Sequence, residues 1–171
     1  MPLVRSGKIA QDDFVHLADD APLPEGDPIL VSAARFLGDP EALLQRHGKL
    51  GVIWPNSRDI EDLVPYLDRL AAVALMFPTF RDGRAYSQAR LLRERYLYRG
   101  ELRATGQVLR DQFVFMLRAG FDAFEVKKES DAHAFADTTR RYTVFYQSTG
   151  DARLAAPFRR LQSRHTESVH P

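Results

Sequence analysis

Apolar and polar positions along this chain follow two rhythms. Short unbroken apolar runs, Ile29-Leu30-Val31, Leu50 to Trp54 and Ala72 to Phe77, have the length and two-sided apolarity of strands buried in a parallel sheet. Between them lie stretches with helical spacing. Gly38-Asp39-Pro40-Glu41 starts one, with Asp39 as cap, Pro40 in the first turn and Glu41 at the positive end of the helix dipole; Gly48 stops it. A second carries Ile60, Leu63, Val64, Leu67 and Leu70, capped by Asn56 or Ser57 and kinked or divided at Pro65. Further on, the pattern predicts a helix over 84–98, a strand over 101–104 and a helix over 108–119. A strand over 122–126, a helix from Ser130 to about 141 and a last strand over 143–147 follow.

Strands alternating with helices dictate parallel pairing and right-handed crossovers. The expected fold is α/β, one domain over 28–150 with five or six βα units in a mainly parallel sheet, either an open twisted sheet or a partial barrel. Residues 1–27 are polar and read as an N-terminal arm or hairpin, the hairpin pairing Val4–Arg5 with Gly7–Ile9. Residues 151–171 read as a C-terminal tail. In either architecture ligands bind beyond the C-terminal strand ends. The rim therefore comprises the loops at Arg35, at Pro55-Asn56-Ser57, from Pro78 to Gly83, at Thr105-Gly106 and at Lys127-Lys128.

Composition excludes several function classes. The chain has no cysteine, which removes disulfides, thiol nucleophiles and cysteine-ligated iron–sulfur clusters. Five histidines show no metal-ligand spacing, so no metal is expected and no cofactor can be named; glycine-rich nucleotide loops and a nucleophile elbow are also missing. With 24 basic against 23 acidic residues, a general nucleic-acid binder is not expected. No apolar run reaches the roughly 20 residues of a membrane helix, and no export signal opens the chain, so a cytoplasmic protein is expected.

Candidate chemistry gathers between Phe77 and Phe124. Arg81, Asp82, Gly83 and Arg84 crowd into one turn after a buried strand; an arginine fork there suits a carboxylate, sulfate or phosphate, whereas Asp82-Gly83 alone is ordinary turn punctuation. In the next strand, alternation puts Glu101, Arg103 and Thr105 on one face and Leu102 and Ala104 on the other. Such a polar face is an edge, a cleft wall or a buried ion pair. Ligand-binding candidates are thus Arg81, Arg84, Arg103, Thr105 and Gly106, and catalytic candidates are Asp82, Glu101 and Asp111, the last also suited to the first turn of its helix. Arg90, Arg93 and Arg95 flank an apolar helical stripe and read as solvated arginines.

The motifs Phe77-Pro78-Thr79-Phe80-Arg81-Asp82-Gly83-Arg84, Ser87-Gln88-Ala89-Arg90-Leu91-Leu92-Arg93-Glu94-Arg95 and Gly100-Glu101-Leu102-Arg103-Ala104-Thr105-Gly106 resemble domain-of-unknown-function family 934. Val108-Leu109-Arg110-Asp111-Gln112 and Gly120-Phe121-Asp122-Ala123-Phe124 extend the resemblance. That bacterial family carries the label "oxidoreductase probably involved in sulfite reduction" and has no established catalytic residues. The resemblance implies a place in assimilatory sulfate or sulfite reduction. Two readings stay open: an oxidoreductase or anion-binding enzyme holding a small anion with Arg81, Arg84 and Arg103, or an accessory docking on sulfite reductase or a related enzyme.

Overall fold

In the computed structural model, residues 2–5, 8–128 and 130–134 are described. They build one eight-stranded sheet from β1 (Leu3–Arg5), β2 (Lys8–Ala10), β3 (Val15–His16), β4 (Ile29–Ser32), β5 (Leu50–Pro55), β6 (Ala72–Phe77), β7 (Glu101–Gly106) and β8 (Ala123–Glu125). The spatial order is β2-β1-β8-β7-β6-β5-β4-β3. Strands β3 to β8 pair in parallel, β6 sits centrally between β5 and β7, and β1 joins antiparallel to both β8 and β2.

The order forces the sheet to curl. β2 and β3 stand at opposite edges, which a flat sheet would hold about 33 Å apart at ~4.8 Å per strand spacing. Only Gln11 to Phe14 separate them in the chain, and from Ala10 to Val15 a backbone reaches no more than about 18 Å. The sheet is therefore an open, curled half-barrel whose edges are bridged by one extended segment, Lys8 to His16. Of the two architectures read from the sequence, this is nearer the partial barrel. Of the arm or hairpin expected over residues 1–27, the hairpin forms, with Val4 opposite Ile9, and the same stretch supplies three strands of the sheet.

Alternation sorts the strand residues between two faces. Val31, Val52, Trp54, Val73, Leu75, Phe77, Leu102, Ala104 and Phe124 belong to the main core, which they form with helical residues Phe36, Leu63, Ala85, Leu92 and Met116. Leu30, Ala72 and Ala74 face the other way and pack with Phe14 from the bridging segment. The parallel strands follow one another in chain order, so every crossover steps in the same direction and the helices share the outer face. The inner face is left to the bridging segment and to the polar side chains of β7 and β8.

Most helices arise where the sequence predicts them. Asp39 accepts from the Ala42 amide at 3.1 Å and opens α2 (Pro40–Gln45). A further helix, α1 (Ala33–Gly38), directly follows β4, with Ser32 accepting from the Arg35 amide. The stretch Ile60–Arg69 is a continuous 3-10 helix capped by Asp59, not by Asn56 or Ser57, and Pro65 lies within it without dividing it. α3 (Arg84–Arg90) widens into a π-helical turn over Leu91–Arg95. A 3-10 turn (Arg110–Gln112) leads into α4 (Phe113–Ala119), and residues 130–134 are helical. The remainder of that last helix, the predicted strand over 143–147 and the tail from 151 fall outside the described residues.

Candidate functional site

The polar face of β7 is a buried ion-pair network. Arg103 is fully buried on the inner face. Its Nη1 and Nη2 grip Asp12 as a fork at 2.7 and 2.8 Å, Nε donates to Glu101 at 2.8 Å, and Nη1 also donates to Glu125 at 3.1 Å. The guanidinium stacks on Phe14, 5.5 Å from the ring centre. Glu101 in turn accepts from Arg5 at 2.5 Å. Glu125, 3% exposed, accepts from the Thr105 hydroxyl at 2.5 Å and lies 3.1 Å from Nε2 of His16.

Three elements create this arrangement. β7 and β8 pair with Arg103 beside Ala123, which brings Thr105 and Glu125 together at their C-terminal ends. The bridging segment is extended, so Asp12, Phe14 and His16 share one side and make the inward contacts, while Ile9 and Val15 are about half exposed on the other. The charges explain the electrostatics. Asp12, Glu101 and Glu125 supply three negative charges against Arg5 and Arg103, so the cluster is neutral only when His16 is protonated. Contact with Glu125 accordingly raises the His16 pKa above its ordinary 6.5, although burial opposes this. Burial alone would raise Glu125, but His16, Thr105 and Arg103 bring it down to about 2. Asp12 is likewise held low by Arg103 and the Phe14 amide against the effect of burial.

Asp12, His16 and Glu125 place three potential metal-ligand atoms within 4.8 Å of one another. Both carboxylates already accept from Arg103, so a metal ion there would sit beside a fixed positive charge. The donor set fits a guanidinium and a proton better than a divalent cation.

The rim turn is separate. As the sequence implies, the loops after β6 and β7 adjoin: the Gln107 amide donates to Phe77 and its side chain accepts from the Phe80 amide. Arg84 binds Asp82 through Nε and Nη2 at 3.0 and 2.6 Å, and this hydrogen bond, above all other effects, holds the Asp82 carboxyl well below its usual range. Arg81 is exposed and stacks on Phe80 at 5.4 Å; among the described residues no carboxylate pairs with it. Asp111 is exposed at the start of the 3-10 turn. Its charge adds to burial, the larger effect, in pushing the Tyr86 hydroxyl up to about 12. Gly106 has φ of +91°, and a Cβ there would stand 2.5 Å from the Phe77 carbonyl oxygen, so the close passage of two backbones accounts for it.

The structure thus unites Glu101, Arg103 and Thr105 and leaves Arg81, Asp82, Arg84 and Asp111 outside that group. Arg103 gives its fork to Asp12, so it does not join Arg81 in one anion pocket. Arg93 corrects another expectation. It is not solvated: its side chain, 15% exposed, donates to the carbonyls of Tyr98, Gly100 and Gly120 and to Asp122. Gly120 permits this, since a Cβ there would stand 2.5 Å from Arg93 Cγ. Asp12, His16 and Glu125 escape the sequence reading. The available signal was Glu125 itself, an acid in an apolar strand following a strand with a basic inner face.

The class of protein is therefore an α/β half-barrel with a charged, strapped interior. The chain belongs to the DUF934 family, described as bacterial proteins of unknown function, whose model matches residues 51–156. That span includes Glu101, Arg103, Thr105 and Glu125, while Asp12 and His16 precede it. No curated protein matches the chain.

Proposed function

We propose that this protein serves assimilatory sulfate or sulfite reduction in the cytoplasm as an accessory that docks on a redox enzyme of that process, sulfite reductase being the first candidate. The pathway rests on the family resemblance; the docking mode rests on the rim. Phe80, Leu109 and Phe115 are 43%, 38% and 64% exposed. The Gln112 side chain donates to the Phe80 carbonyl, and Leu109 and Phe115 lie three residues to either side of Gln112, which is our ground for grouping the three on one face of the rim. Arg81 covers one edge through Phe80, and Arg110 is also exposed beside the patch. Aromatic anchors rimmed by arginine are the composition of interaction hot spots. With Asp82 neutralised by Arg84, exposed Arg81 and Arg110 outnumber exposed Asp111 here, so the partner is a protein with an acidic face around an apolar cleft.

Binding of purified protein to purified sulfite reductase tests this. Phe80→Ala and Phe115→Ala should abolish association, and in a host dependent on the protein they should prevent growth on sulfate as sole sulfur source. Full association and growth with both variants at normal protein levels would remove the docking reading. The second reading, an enzyme handling a small anion, draws on the interior network, where half-exposed His16 meets Glu125, the last residue of β8.

A further inference from the structure

We propose that the turn carrying Phe80 and Arg81 is a preformed plug for an apolar pocket with a carboxylate at its edge on the partner, and that Gln107 and Gln112 are the residues that hold it ready. The inference rests on the docking reading above and deepens it, from an exposed face to one two-residue anchor. The Asp82 amide donates to the Thr79 carbonyl at 3.2 Å, which closes a β-turn with Phe80 and Arg81 as its central residues. Two side chains from the chain after β7 then take both backbone polar groups of Phe80. Its amide donates to Gln107 Oε1 at 3.2 Å, and its carbonyl accepts from Gln112 Nε2 at 3.0 Å. Both glutamines are held in turn, the Gln107 amide donating to the Phe77 carbonyl at 2.8 Å and the Gln112 amide to the Leu109 carbonyl at 3.1 Å. Asp82, which ends the turn, is gripped by Arg84 through Nε and Nη2.

Fastening a loop does not account for what stands at its tip. Both glutamine bonds reach the backbone of residue 80, so a polar side chain there would keep them equally well. The side chain present is a phenylalanine, 43% exposed, although Phe77 three residues earlier is fully buried. Water satisfies the amide and carbonyl of an exposed turn, so what the glutamines add is a fixed direction for the ring. The Arg81 guanidinium lies 5.4 Å from the centre of that ring. Stacking engages the face of the guanidinium and leaves its N–H edges for a carboxylate, and among the described residues no carboxylate takes them. Ring and cation are thus presented together, by a turn already ordered before the partner arrives.

Amide hydrogen exchange on the free protein and association kinetics with purified sulfite reductase test the proposal together. Gln107→Met should speed exchange of the Phe80 amide by roughly tenfold, while the Tyr98 amide, bonded to the Leu92 carbonyl, keeps its rate and reports that the fold persists. Gln107→Met and Gln112→Met should each weaken association about five- to tenfold, because the binding-ready turn becomes a minor population. The loss should fall on the association rate and leave the dissociation rate unchanged, whereas a glutamine that touched the partner directly would act on dissociation. No association by the wild-type chain, or association that Phe80→Ala leaves intact, removes the docking reading and this inference with it. Association abolished by Phe80→Ala but unaltered in rate by either glutamine variant, or altered only in dissociation, removes the preformed plug alone. Unchanged exchange of the Phe80 amide in Gln107→Met would do the same. A dimer of this chain that Phe80→Ala dissolves would overturn the assignment of the turn to a different protein.

Discussion

Two arginine clusters belong to neighbouring strands of this molecule, one beyond the end of β6 and one within β7, and they are built in opposite ways. At the rim, Arg84 pairs with half-buried Asp82 two residues away and Arg81 leans on its neighbour Phe80, with both arginines in solvent. In the interior, Arg103 is fully buried and bound to acids 91 and 22 residues distant in sequence. The rim contacts are local in sequence; within the interior only the Arg103–Glu101 contact is local, and those to Asp12 and Glu125 exist only when the N-terminal segment, β7 and β8 are assembled. Arginine density alone does not distinguish these cases. Burial and the sequence distance of the partner do.

The largest expected effect breaks the interior cluster. Arg103→Met would leave Asp12, Glu101 and Glu125 without their shared cation, and stranding buried charge costs about 3–5 kcal/mol. Urea unfolding of the described fold should show that loss. A cost below ~1 kcal/mol would mean that the network contributes nothing to joining the N-terminal segment to the sheet.

Next in size is Arg93, which belongs with the interior despite its place on an outer helix. Arg93→Ala removes a charged group donating to three carbonyls and Asp122, for which about 2–3 kcal/mol is expected. Arg95→Ala removes two surface contacts of an exposed side chain, to Glu61 at 3.6 Å and to the Tyr96 ring at 5.4 Å, and should change stability by less than about 0.5 kcal/mol. Equal effects from the two would erase the distinction between pinned and solvated arginines on this helix.

Much of this was legible in the sequence. Apolar runs located β4, β5 and β6, and Asp39-Pro40 located α2, because these depend on local pattern and local capping. The polar alternation of Glu101, Arg103 and Thr105 marked a face that had to be an edge, a cleft or an ion pair. Which of these it was depended on Asp12 and His16, brought in by a segment whose composition looks like a loop. The strands there are two or three residues long, too short to leave a periodic signal. Arg93 was misread for a related reason: the π turn and Gly120 that admit its side chain are tertiary features.

A smaller effect separates the clusters by pH. The raised His16 pKa means its contribution is complete below about 6.5 and is lost as pH rises through the higher folded-state value. Glu125, lowered from 4.5 to about 2, contributes fully above 4.5 and loses that contribution as pH falls toward 2. Stability should therefore decline on both sides of a near-neutral to mildly acidic plateau. His16→Gln should flatten the alkaline decline, because the glutamine cannot titrate. An unchanged alkaline decline in that variant, followed by thermal unfolding across pH, would place the responsible group outside the interior network.

The smallest stability effect is expected at the rim, where it carries the most functional information. Arg81→Ala removes an exposed cation–π contact, and its unfolding free energy should stay within about 0.5 kcal/mol of wild type. Phe115→Ala takes away a ring that is 64% exposed, so little buried area is lost and the fold should persist. Both should nevertheless weaken association with an acidic partner, with Arg81→Ala also reducing the salt dependence of its on-rate. This combination, stable protein with impaired association, is the opposite of the result expected for Arg103→Met. If instead Arg81→Ala were as destabilising as Arg103→Met, the rim would be another structural cluster, and the reason to assign it to a partner would be gone.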